Sequence, residues 1–241
     1  MSGQRVGVLG DEQLAEAVEA AGCVAASDDT IAVDDVECVL VDGDRSVVDL
    51  VRSTVDVPAL IVDSEGLPSV PRDRIGAALD RLFGGDASVE GHPVVAVSGP
   101  FGSIDAVFDV ALMAAEPARI SEFSVADRDD QIARFRADGV VASTPAGSHG
   151  YNRRAGGPVV ASGTGIASVV PIAPFSTSAG HWVLPIEAVE LAVERDETPV
   201  ELLVDGRRER HIDPDATLGL SVVDTLETYA VPELIDDPAA N

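Results

Sequence analysis

Hydrophobic and polar positions follow two different rules along this chain. Up to about residue 88, short apolar runs alternate with stretches of helical period. "RVGVLG" (5–10) predicts a strand that ends on a glycine. "DEQLAEAVEAAG" follows, with Leu14, Ala17, Val18 and Ala21 at helical spacing and Gly22 as a stop. "VECVLVDGD" (36–44) predicts a second buried strand broken by a glycine turn, "SVVDLVRST" a helix, and "VPALIVD" (57–63) a third strand. "DRIGAALDRLFGG" (73–85) predicts a helix stopped by two glycines. Strands and helices alternating at these lengths predict a small parallel α/β unit.

From residue 89 the helical period is lost. "HPVVAVSGP", "IARFRADGVVASTP", "GIASVVPIAP", "PVELLVDGRRERHI" and "LGLSVVDTLETYAV" are short apolar runs punctuated by Gly, Pro and Asp. That spacing predicts an all-β part. No fixed-period repeat and no low-complexity tract appears. The expected division is an α/β domain over 1–88, a β domain over 89–228, and a tail over 229–241 that packs back on the first domain or frays.

Composition narrows the function classes. With 241 residues and 46% hydrophobic positions, the chain can bury a sizeable core. No run approaches the roughly 18–20 apolar residues that span a bilayer. The start, "MSGQRVGVLGDEQ", lacks the apolar core of a signal peptide. Cys23 and Cys38 are too few for a disulfide framework, so a reducing cytoplasm is expected.

Charge adds a second constraint. Asp and Glu number 42 against 16 basic residues, for a net charge of −26, and every basic residue is Arg. An acidic disordered chain would carry few apolar residues, and this one carries many. A folded, lysine-free acidic protein resembles the cytoplasmic proteins of salt-accumulating halophiles, where concentrated salt screens self-repulsion. No basic stripe is available for nucleic-acid phosphates. Without Lys there is no Walker-type phosphate loop, and "GVLGDEQLAEA" has too few glycines for the dinucleotide fingerprint of dehydrogenases. His92, His149, His181 and His211 show no metal-ligand spacing, so no zinc site is expected.

Two stretches carry candidate chemistry. In "ADGVVASTPAGSHGY" (137–151), glycines allow close backbone approach, while successive N–H groups and hydroxyls can surround a polar ligand. The same residue types also serve a tight turn whose Ser and Thr satisfy local backbone groups, and the loop alone leaves both readings open. "DGDRS" (42–46) sets Asp44 at the C-terminal end of a strand, where open α/β sheets bind ligands. A carboxylate there can take a hydroxyl proton from within about 3 Å. Capping of the next helix by Asp44 or Ser46 is the structural alternative.

"ADGVVASTPAGSHGYNRRAGGPVV", "VVPIAPFSTSAGHWVLP" (169–185) and "VDGR" (204–207) fall in that order, and together they resemble the signature segments of NAD kinases. The resemblance implies an N-terminal Rossmann-like parallel α/β domain and a C-terminal β-sandwich. It also implies a homodimer or homotetramer, with the dinucleotide between the domains and touching a neighbouring subunit. The implied reaction moves a terminal phosphoryl from ATP or polyphosphate, with Mg²⁺, to the adenosine-ribose 2′-hydroxyl of NAD, giving NADP.

By the same resemblance, Asp44 matches the catalytic base, and Gly43, Arg45 and Ser46 match the rest of its phosphate-cradling turn. Asp109 matches the carboxylate at the adenosine end and Asp138 the one at the nicotinamide side. Thr144, Gly147, Ser148, His149 and Tyr151 match the ligand loop, and Asp205 the turn that follows it. Arg153 and Arg154 form a basic pair after the tyrosine.

The sequence also departs from the pattern. Arg45 replaces a glycine, where any left-handed conformation would cost roughly 1 kcal/mol or more. "VDSEG" (62–66) keeps only Gly66 of a longer motif, Phe108 replaces an amide, His149 a threonine, and Phe175 a histidine. Several departures gather around the phosphate donor. The alternative expectation is therefore a non-catalytic NAD(P)-binding homologue with a degenerate donor site.

Overall fold

The computed structural model describes residues 3–27, 36–53, 55–116, 119–128, 130–176 and 179–234. The chain divides into two compact units. One takes the residues up to His92 together with those from Leu226 on, and the other is Pro93–Thr225.

In the first unit, β1 (Arg5–Leu9), β2 (Val24–Ser27), β3 (Cys38–Asp42) and β4 (Ala59–Val62) form a parallel sheet in the order β2-β1-β3-β4. The end of the chain's last strand joins it beyond β4, through Thr228 opposite Ala59. Three helices connect the strands: α1 (Glu12–Ala20), α2 (Gly43–Val51) and α3 (Ile75–Gly84). Asp11 caps α1 by accepting from Leu14 N at 3.0 Å, and Leu14 and Val18, one turn apart, are its buried residues. α3 stops at Gly85, which is left-handed. Val6, Leu40, Leu60 and Val62 from the sheet pack with Leu14, Val18, Ile75 and Leu79 in one core, each contributing about 1.5–3 kcal/mol through burial.

The elements of this half stand where periodicity predicts them, with two differences. The short strand β2 is absent from the prediction, because "CVAAS" is alanine-rich and carries no alternation. Helix α2 begins at Gly43, three residues before the predicted start. The chain then passes into the second unit within β5 (Ser88–Gly99), and its boundary falls at 92/93.

The second unit continues with β6 (Gly102–Ala106), β7 (Asp109–Ala114), β8 (Ser121–Asp127), β9 (Asp130–Ala137) and β10 (Gly139–Ser143). After the one-turn helix α4 (Tyr151–Arg154) come β11 (Ile166–Ile172), β12 (Trp182–Pro185), β13 (Val189–Arg195), β14 (Val200–Val204), β15 (Arg207–Ile212) and β16 (Thr217–Ala230). One antiparallel sheet runs β12-β11-β10-β7-β14-β15. Facing it, β9, β8, β13, β16, β5 and β6 are paired in that order.

The core between them takes alternate residues from both: Val110, Leu112, Val140, Ala142 and Val169 from one sheet, Val97, Phe123, Val125, Leu191 and Leu218 from the other. The opposite face of the first of these sheets is apolar too. Ala111, Val141, Val170 and Ile172 lie there, packed under Tyr151 and Ala155. That cover is laid by the loop between β10 and β11, which carries Thr144, Gly147, Ser148, His149 and Tyr151.

Candidate functional site

Four carboxylates gather at the C-terminal ends of the first unit's strands. Asp11 follows β1, Asp42 ends β3, Asp44 lies in the first turn of α2, and Asp63 follows β4. Arg72 binds three of them: Asp11 at 2.9 and 3.1 Å, Asp42 at 2.6 Å and Asp63 at 3.6 Å. The hydrogen bonds to Asp42 and Asp11 raise the guanidinium pKa, and Arg72 in turn lowers that of Asp11. One planar fork serves carboxylates from the ends of three neighbouring strands.

Asp44 is not the helix cap. The cap position of α2 is Asp42, whose side chain makes no capping hydrogen bond. Gly43 takes φ +70, a conformation only glycine adopts readily, and so lets the strand turn directly into the helix. Arg45, exposed in the first turn of α2, is helical, so the left-handed strain considered for it does not arise. Ser46 follows it, half-buried.

The half-buried Asp44 carboxylate is held by Ser64, whose hydroxyl donates to Asp44 Oδ1. Ser64 Oγ also accepts from Gly66 N at 3.1 Å and Leu67 N at 2.9 Å. The Ser64 backbone is fixed by Ser69, which accepts from Ser64 N at 3.1 Å and donates to Ser64 O at 3.2 Å.

In the second unit the ligand-loop residues are packed inward. Ser143, Thr144, Ala146, Gly147 and Ser148 are all buried. Thr144 Oγ1 donates to Val107 O at 2.6 Å and accepts from Gly147 N at 3.2 Å. The Thr144 amide donates to Phe108 O at 2.9 Å. Ser148 Oγ donates to Pro145 O at 2.7 Å and accepts from Val160 N at 3.0 Å. These hydroxyls satisfy the backbone of a buried turn.

Asp205 holds the segment that this turn is bonded to. With Gly206 it forms the two-residue connection between β14 and β15, both at positive φ, which suits a hairpin. Its carboxylate accepts from the consecutive amides of Val107, Phe108 and Asp109 at 2.8–3.3 Å. The residue 107–109 segment is thereby fixed between Asp205 and Thr144.

The remaining candidates Asp109, Asp138, His149 and Tyr151 are half-buried, and Arg154 is exposed. Burial first, and the Asp205 charge second, push the Asp109 carboxyl up to about 7, against the pull of Arg154. Burial also raises the Tyr151 phenol, with Asp109 and Asp138 adding to the effect. Asp109, Ser143 and Ser168 stand opposite one another across β7, β10 and β11. Ser143 Oγ is buried there without a hydrogen-bond partner among the described residues. Phe175 is exposed.

Several residues that organise these sites belong to no motif in the sequence. Asn152 is fully buried; its amide donates to Ser148 O and Pro158 O and accepts from Ser168 Oγ at 2.8 Å. Arg72, Ser64 and Ser69 are the others. An asparagine three residues before "AGGP" is the one signal the sequence offers.

Residues 108–229 match the family model of the ATP-NAD kinase C-terminal domain. An NAD kinase of Methanosarcina acetivorans is 40% identical over 114 residues, which cover 46% of this chain and 41% of that protein. An NAD kinase of Methanothermobacter thermautotrophicus is 29% identical over 147 residues, covering 61% of this chain and 52% of that one. The matched part is thus about half or less of these relatives' length. Among solved structures, an NAD kinase from Archaeoglobus fulgidus in complex with ATP superimposes with a TM-score of 0.74 at 20% identity, covering 96% of this chain and 94% of that one. Yeast NADH kinase complexed with NADH gives 0.77 at 17% identity, covering 95% and 84%. At these identities the two structures are likenesses of fold.

Proposed function

The chain belongs to the NAD kinase family, and from that premise we propose that it phosphorylates the adenosine-ribose 2′-hydroxyl of NAD to give NADP, with ATP or polyphosphate as donor. The observation that carries this reading is the half-buried Asp44 carboxylate, tethered through one oxygen at the C-terminal end of β3. In the proposed step the ribose oxygen bonds to the donor's terminal phosphorus, the bond from that phosphorus to the donor's bridging oxygen breaks, and the 2′-hydroxyl proton passes to Asp44. Gly43, Arg45 and Ser46 line the donor phosphates.

For the dinucleotide we propose Asp109 at the adenosine end, Asp138 at the nicotinamide side, and His149 and Tyr151 along the loop. Thr144, Gly147, Ser148 and Asp205 shape that loop from behind.

Mg²⁺ fits as an ion that arrives with the donor. Among the described residues, no three His, Cys, Asp or Glu side chains form a metal-binding group. Mg²⁺ commonly binds through one or two carboxylates plus phosphate oxygens and water. Asp63 is already ion-paired with Arg72 at 3.6 Å, so we propose that the donor's phosphate oxygens and water hold the ion. Bound there, the ion would neutralise phosphate charge.

A second reading has its own observation. Arg45 stands where the family turn has a glycine, an added side chain next to Asp44 in the first turn of α2. A dinucleotide-binding homologue without turnover would tolerate this. Calorimetric titration with NAD and NADP tests the binding that both readings share: absence of heat with either would remove both. Formation of NADP separates the two. The acidic, lysine-free composition suits work in a salt-rich cytoplasm, and the family resemblance suits a homodimer or homotetramer.

A further inference from the structure

We propose that Ser64 is a positioning residue that assigns separate duties to the two oxygens of Asp44. The inference rests on the reading of Asp44 as the base. A serine hydroxyl has one proton and two acceptor lone pairs. Both acceptor positions of Ser64 Oγ are filled, by the amides of Gly66 and Leu67. Its single proton therefore points to Asp44 Oδ1, the partner the geometry supplies.

Rotating the hydroxyl away would leave the Gly66 and Leu67 amides without their acceptor, and Ser69 holds the Ser64 backbone through both its N–H and its C=O. Oδ1 is thus an anchored acceptor, and Oδ2 is the oxygen that receives the substrate proton. The segment that supplies this tether is "VDSEG", the stretch where the chain departs from its family's longer motif. Ser69 is 96% buried and Ser64 half-buried, so the relay is built into the unit.

The test compares Ser64→Ala, Ser64→Thr, Asp44→Asn and the Ser64→Ala/Asp44→Asn double variant in molar KCl with Mg²⁺ and donor. Ser64→Ala should lower kcat about tenfold to a hundredfold, the size of a lost hydrogen bond to a charged group, with KM for NAD little changed. Ser64→Thr, which keeps the hydroxyl, should restore most of kcat. The double variant should be no slower than Asp44→Asn, because Ser64 acts only through Asp44.

Amide hydrogen exchange gives a readout that needs no turnover. Asp44→Ala should speed exchange at Gly66 and Leu67 about two- to tenfold, as the Ser64 hydroxyl loses its anchor. Unchanged exchange there would overturn the proposal, and so would a normal kcat for Ser64→Ala beside an inactive Asp44→Asn. Wild-type turnover in Asp44→Asn would instead bring down the assignment of the base itself.

Discussion

Gly147 lies so close to the Phe108 carbonyl that a Cβ added to it would stand 1.9 Å from that oxygen and 2.4 Å from its carbon. The turn after β10 is pressed onto backbone rather than onto a side chain that can move aside. Gly147→Ala should therefore force the loop off residues 107–109 and destabilise the protein by more than about 3 kcal/mol. Thermal unfolding measures the loss. NAD affinity should fall in the same variant, and normal NAD binding would place the ligand away from this loop.

Asp205 faces the same segment through three amides, and it also occupies a left-handed position that Asn tolerates and Ala does not. Asp205→Asn should cost about 1–2 kcal/mol and Asp205→Ala about 3 kcal/mol, read from denaturant midpoints. Equal effects of the two would mean that the amides find another acceptor.

Asp109 links the site to pH. Its folded pKa is about 7, above the ordinary carboxylate value near 4, so between those values the folded state holds a proton that the unfolded state has lost. Stability from this group is present at low pH and declines as pH rises to about 7, beyond which the penalty is constant. Asp109→Asn should remove that slope and be the more stable protein at pH 8, with the difference vanishing towards pH 4. Melting temperatures of both proteins across pH 4–8 test it; parallel curves would contradict it.

The Arg72 cluster gives a salt-sensitive prediction. Arg72→Ala leaves Asp11, Asp42 and Asp63 facing one another without their cation. The melting temperature should fall by about 2–4 °C in dilute salt and by less in molar KCl, where repulsion is screened. Wild type itself should melt higher in molar KCl, given its net charge of −26. A melting temperature indifferent to salt would argue against the halophilic reading.

What could be read from the sequence was local. The strand β3 is buried continuously from Cys38 to Val41, and α1 has its capping Asp11 and its Leu14–Val18 stripe, so period and punctuation suffice. Asp44 and the loop residues are legible because their motifs are contiguous. Arg72 is not, since two of its three partners lie 30 and 61 residues away and only the parallel order of the strands brings them together. Ser64 stood in a segment that reads as a degenerate motif, and its value depends on Asp44, 20 residues earlier. The hydroxyls of Thr144 and Ser148 pose the reverse problem. Sequence shows them as ligand donors or turn residues alike, and the geometry gives their hydrogen bonds to backbone.

The proposed role of Asp44 stands or falls with NADP formation by this chain. The direct measurement is NADP formed from NAD in molar KCl with Mg²⁺ and either ATP or polyphosphate, by wild type and Asp44→Asn side by side. Wild type should accumulate NADP, and Asp44→Asn, still folded and still binding NAD, should lose at least about a hundredfold in rate. Equal rates in the two, or a wild type that binds NAD and converts none with either donor, would contradict it.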